Sequence, residues 1–159
     1  MVRSKGCKYL SLIFILFMVA TILGGCGPSK KEVLSQYRQS VQPILSEMAQ
    51  ISEKWDTLRR KNGNGQVSDL QFAIITQKEI APALVSLQER MEAIEPHKDL
   101  RATHELGIKI INKNLQAMNE VVAAVFEGNM SKITSANGLM AEARELERKY
   151  VNQLEDFIK

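Results

Sequence analysis

The sequence predicts an all-α protein: an antiparallel up-down-up-down four-helix bundle with coiled-coil-like packing, preceded by a short helical export segment. Three observations carry that reading. Apolar residues recur at alternating spacings of three and four from Leu34 onward, and no stretch alternates with period two. Glycine- and proline-bearing breaks divide the chain after residue 31 into four runs of similar length. The expected helices lie at about 32–61, 69–94, 98–126 and 130–158, each roughly 39–45 Å long at 1.5 Å per residue. Matched lengths and short connections make consecutive helices antiparallel neighbours.

The first helix has an unbroken apolar stripe: Leu34, Tyr37, Val41, Ile44, Met48, Ile51, Trp55 and Leu58. It ends at Asn62-Gly63-Asn64-Gly65, where glycines supply the conformations of a helix stop and turn. The second helix starts with a capping box between Ser68 and Gln71, and Val67 and Phe72 form a hydrophobic staple across that start. Its stripe reads Leu70, Ala73, Gln77, Ile80, Leu84, Leu87, Met91 and Ile94, with Gln77 expected as a polar, register-fixing layer. Glu95-Pro96 stops it, because the residue before proline is pushed out of the α region. The third helix carries His104, Ile108, Ile111, Leu115, Met118, Val122 and Val125 and stops at Gly128-Asn129. The fourth is marked by Ile133, Ala136, Met140, Ala143, Tyr150, Leu154 and Phe157. The first helix is net basic and the second net acidic, which favours their pairing.

Ahead of the helices stands a three-part export pattern. Arg3, Lys5 and Lys8 precede an apolar run from Tyr9 to Leu23, which is 15 residues and short of the ~20 that a membrane-spanning helix needs. The run ends in Leu23-Gly24-Gly25-Cys26. This tetrapeptide resembles the lipobox of bacterial lipoprotein precursors. The resemblance implies that Cys26 receives a diacylglyceryl group, that signal peptidase II cuts between Gly25 and Cys26, and that palmitate-type acyl chains anchor the mature chain. Two chains anchor firmly where one is marginal. The domain reading follows: 1–25 signal peptide, 26–31 lipidated cysteine and short tether, 32–159 helical ectodomain. The resemblance covers residues 1–26 only.

Charge and composition exclude other classes. The chain has a net charge of +3, all of it from the export segment; the rest carries as many acids as bases. It therefore lacks the electrostatic footprint of a nucleic-acid binder. Cys7 leaves with the signal and Cys26 carries lipid, so the ectodomain is expected to hold no disulfide and no thiol chemistry. His97 and His104 are seven residues apart, or ~10.5 Å along a helix, too far to share a metal directly. His104-Glu105 opens like H-E-x-x-H, but Ile108 occupies the second histidine position. Met48, Met91, Met118 and Met140 fall on the stripes and read as packing. No acid–base pair, nucleophile arrangement or phosphate-cradling loop stands out, so the chain is read as no enzyme, with no metal and no cofactor beyond the lipid.

Three groups of candidate residues remain. Pro43 and Pro82 each remove a helical hydrogen bond; counted from the turn near residue 64 their kinks fall near one level, where they are either kinks tolerated in long helices or a local widening of the bundle that makes a pocket. His104, on the apolar stripe, is expected as a buried histidine with a hydrogen-bond partner and as the other centre for such a pocket. Arg59, Arg60 and Lys61, with Lys132 nearby, end up at the tip farthest from Cys26, where they complement a helix C-terminus or meet an anionic partner. Lys30 and Lys31 sit next to the lipid surface. The functional expectation is a membrane-anchored, extracytoplasmic lipoprotein of the cell envelope. It would be a non-enzymatic adaptor that binds an envelope protein or wall polymer, with homo-oligomers open to it. The alternative is a small-ligand or metal-binding lipoprotein with a pocket inside the bundle.

Overall fold

The computed structural model describes residues 27–159. The expected export segment, the expected cleavage between Gly25 and Cys26 and the expected lipidation of Cys26 all lie outside the described residues. All regular structure within them is helical: α1 (Lys30–Gly63), α2 (Asp69–Ile75), a π turn (Thr76–Ile80), α3 (Ala81–Glu92), a 3-10 turn (Lys98–Leu100), α4 (Arg101–Glu127) and α5 (Ser131–Asp156). Because α2, the π turn and α3 run on without a break, the chain builds four rods.

Local chemistry places the ends. Ser29 caps α1 with a full capping box: its hydroxyl accepts from Glu32 N at 3.3 Å, and the Glu32 carboxylate accepts from Ser29 N at 2.7 Å. The helix therefore starts at Lys30, ahead of the expected 32. The same reciprocal pair forms between Ser68 and Gln71 at the head of α2. Between the two rods, Asn62 Nδ2 donates to the Val67 carbonyl and to Asp69 Oδ1, pinning the loop across the turn. Gly128 ends α4 at φ 66°, a left-handed position that glycine takes without strain.

The second rod departs from its expected stripe. Leu70 and Gln77 are exposed, while Phe72 and Thr76 are buried. The cause is the π turn, closed by a bond from Ala81 N–H back to the Thr76 carbonyl. Pro82 has no N–H to give, and in a regular α-turn its ring would clash with the carbonyl of Lys78 four residues earlier. Widening that turn accommodates the ring and consumes an extra residue. Upstream of it the buried face rotates, so Thr76 replaces Gln77 inside and the expected polar layer at Gln77 does not exist.

One core joins all four rods. It includes Leu34, Tyr37 and Trp55 of α1, Phe72 of α2, Leu84 and Met91 of α3, Ile111 and Met118 of α4, and Tyr150 and Leu154 of α5. Cross-rod partners run in opposite order: Glu47 meets Arg90 and Lys54 meets Glu79, and Thr103 meets Gln153 while Lys113 meets Glu142. The spacing between rods is uneven. α4 and α5 approach most intimately, because alanines line their contact: Ala117, Ala124, Ala136 and Ala143 are all buried. α1 instead faces the core with Tyr37, Ile44, Trp55 and Leu58, and it does not come close to α5 along its length. Small side chains draw one pair together and large ones hold the other apart, which leaves a seam between the first and last rods.

Candidate functional site

The buried polar groups collect in one place. Tyr150 Oη donates to Tyr37 Oη at 3.3 Å, and Tyr37 Oη in turn reaches His104 Nδ1 at 3.3 Å. These three residues come from α5, α1 and α4, and all are buried. If Tyr37 gives its own hydroxyl proton to Nδ1, the neutral ring carries its proton on Nε2. His104 Nε2 is buried without a hydrogen-bond partner. Burial lowers the His104 pKa below its ordinary 6.5, outweighing the opposite pull of the Glu105 charge and the Met91 carbonyl. The ring is therefore neutral at pH 7. Burial likewise pushes both tyrosines upward, so neither ionises at neutral pH.

On the outer side, His104 backs a polar hollow of about 580 Å³ rimmed by Glu92, Glu95, Arg101 and Glu105. Its Nε2 is closed off from that hollow by the same burial. Among the described residues no three His, Cys, Asp or Glu side chains stand close enough to hold a metal ion.

The structure does not gather His104, Pro43 and Pro82 into one pocket. Both prolines are exposed, and Pro43 borders only a shallow surface hollow with Arg38, Gln39 and Gln42. Nor are the prolines level. Glu47 pairs with Arg90 and Lys54 with Glu79, which puts Pro43 roughly 12–18 Å along the bundle from Pro82 at 1.5 Å per residue. Counting from the turn failed because the loop consumes residues that add no helical rise.

The seam between α1 and α5 opens into an apolar cleft of about 290 Å³. Leu45 and Met48 form one wall, Met91 and Ile111 the floor, and Val151 and Glu147 the other wall. At one end the Tyr150–Tyr37 bond closes it. Gly107 is buried at the floor, where the Met91 methyl lies in the space that a Cβ would take. The sequence reading missed this cleft and the tyrosine pair; that Tyr37, His104 and Tyr150 all occupied stripe positions was the available signal.

The cationic tip is partly engaged at home. Arg59 pairs with Asp56 at 3.1 Å and lies over the Trp55 ring; Arg60 bonds Thr57 Oγ1 at 2.9 Å. Lys61 is exposed, and Lys132 pairs with Glu127 at 3.3 Å. The same end of the bundle, where α1 and α4 finish and α2 and α5 begin, exposes Leu70, Phe126 and Met130 at 54%, 51% and 63%. No helix among the described residues is long and apolar enough to cross a membrane. No family model, curated protein or solved structure matches the chain.

Proposed function

We propose that the chain is a lipid-anchored, extracytoplasmic lipoprotein of the cell envelope: an up-down-up-down four-helix bundle with coiled-coil-like packing that acts as a non-enzymatic adaptor. One observation carries the reading. The end of the bundle opposite the start of α1 exposes Leu70, Phe126 and Met130 and also carries Arg59, Arg60 and Lys61. Large apolar side chains held in water at one end with cations are the composition of a protein-binding hot spot. α1 begins at Lys30, so an acylated Cys26 would hold the opposite end within roughly 15 Å of the headgroups at ~3.3 Å per extended residue. Such a bundle presents its tip at a fixed height, which is what an adaptor for an envelope protein or wall polymer requires.

The test is an in-cell photocrosslink from Asn64, at the tip, in the full chain. A specific partner captured there, lost in Phe126→Ser/Met130→Ser and absent when the crosslinker is moved to Ser86, supports the adaptor. Equal capture from both positions defeats it. Anchoring is tested separately: Cys26→Ala should abolish fatty-acid labelling and leave the export segment uncleaved.

A second reading, a small-ligand lipoprotein, is favoured by the apolar cleft between α1 and α5. It moves the binding site away from Pro43, Pro82 and His104.

A further inference from the structure

We propose that the cleft between α1 and α5 binds a small amphiphilic amine, its apolar body seated among the helix walls and its ammonium group against Glu147. This goes beyond the adaptor reading and does not rest on it, since the cleft lies along the bundle side and not at its tip.

The cleft is a built feature. Its floor side chains, Met91, Ile110 and Ile111, belong to the buried core. Its rim leaves apolar surface in water: Val151 is 50% exposed, and Leu45 and Met48 are only half-buried. Covering that surface is favourable by roughly 25 cal/mol for each Å² removed from water. A volume of about 290 Å³ stands at the small end for ligand pockets, enough for one short chain or single ring.

Charge selects among apolar guests. Glu147 is the single charged residue on the cleft wall. It makes no hydrogen bond or ion pair with any described side chain. Its neighbours on α5 do: Glu145 pairs with Lys149 at 2.6 Å and Glu142 with Lys113 at 2.6 Å. Glu147 is exposed at the cleft rim, and the apolar wall behind it pushes its carboxyl upward against the pull of Arg144 and Arg148, so the carboxylate faces water on one side and the cleft on the other. An ammonium group at the mouth of the cleft gives this unpaired carboxylate a charge-assisted hydrogen bond while its apolar body covers the cleft walls. A carboxylate head would meet repulsion at the same point.

The experiment uses the full chain in phosphatidylcholine nanodiscs and a photoreactive diazirine derivative of n-octylamine, with labelled residues located by mass spectrometry. The expected result is saturable labelling of the 45–52 and 147–151 segments, displaced by n-octylamine. The matching octanoate probe and the Glu147→Gln variant should each label about fivefold less. Ala49→Trp, at an exposed position on the wall, should fill the cleft and abolish labelling while the thermal melt stays unchanged. Equal labelling by the amine and octanoate probes, or undiminished labelling in Glu147→Gln, overturns the amine assignment. Labelling that survives Ala49→Trp, or that never saturates, overturns the site. None of these outcomes bears on the tip crosslink from Asn64, so the two proposals fail separately.

Discussion

Tyr37 is the hinge of the buried polar chain, and replacing it with phenylalanine tests the whole arrangement. Tyr150 donates to Tyr37, which is hydrogen-bonded in turn to His104 Nδ1. Tyr37→Phe removes one hydroxyl and orphans two buried groups, the Tyr150 hydroxyl and His104 Nδ1. Each unsatisfied buried group costs about 1–3 kcal/mol. Both contacts are 3.3 Å, long for hydroxyl bonds, so the low half of the range applies and the total is about 2–4 kcal/mol. Tyr150→Phe breaks one bond but leaves Tyr37 still able to donate to His104, for about 0.5–1.5 kcal/mol. In a domain of this size 1 kcal/mol shifts Tm by roughly 3–6 °C. Tyr37→Phe should therefore melt roughly 6–24 °C below the parent, and Tyr150→Phe roughly 2–9 °C below. Paired thermal and urea melts at pH 7, with the double variant closing the cycle, provide the assay. If Tyr150→Phe costs as much as Tyr37→Phe, the chain does not run through Tyr37 and the reasoning is refuted.

Three further outcomes follow from named groups. His104 has a lowered pKa in the folded chain, so the unfolded state binds the extra proton first; its contribution to stability is complete above pH 6.5 and is lost as pH falls through the folded value, by at most ~1.4 kcal/mol per pH unit. Glu147, whose carboxyl is raised, works in the opposite sense in parent and variant alike, so urea midpoints between pH 7 and 5 should fall in the parent relative to His104→Gln; equal slopes in the two would contradict the burial of a neutral ring. Thr76 is fully buried and its hydroxyl has no partner, so Thr76→Val should raise stability by up to about 1–2 kcal/mol, and a lower Tm would show that the hydroxyl is satisfied. Gly107→Ala displaces only the mobile end of Met91 and regains about 1 kcal/mol of helix propensity, so its melt should stay near the parent, while Gly107→Leu also drives into the Tyr150 ring and should cost about 1–3 kcal/mol.

The all-helical character and most of the core were legible because helical periodicity is a local property. Along α1 the stripe from Leu34 to Leu58 is buried as read, apart from the half-buried Met48. The capping box at Ser68 was legible for the same reason: hydroxyl, spacing and acceptor all lie within four residues. The second rod was misread because a single residue, Pro82, acts backward on the turn before it. The stripe through Leu70 and Gln77 satisfies an ideal 3.6 period, and nothing between Leu70 and Gln77 signals a wider turn. The steric clash that forces it lies five residues downstream of Gln77, so the period has to be broken there before the face can be read.

The binding features were illegible for a different reason, which the cleft makes plain. Tyr37, His104 and Tyr150 were each placed on a core stripe, but their meeting depends on the axial register of three rods, two of which are not neighbours in sequence. The cleft depends on a quantity further removed still, the difference between two inter-rod distances. α4 and α5 close tightly on alanines, α1 stands off on tyrosine, tryptophan and leucine, and the deficit appears as the seam between α1 and α5. No residue in that seam is unusual on its own helix: Glu147 lies among other acids and bases on an outer face, and Ala49 looks like filler. What distinguishes Glu147 is that its face of α5 turns toward a rod too distant to cover it, so an ordinary surface carboxylate becomes the one charge beside an apolar hollow.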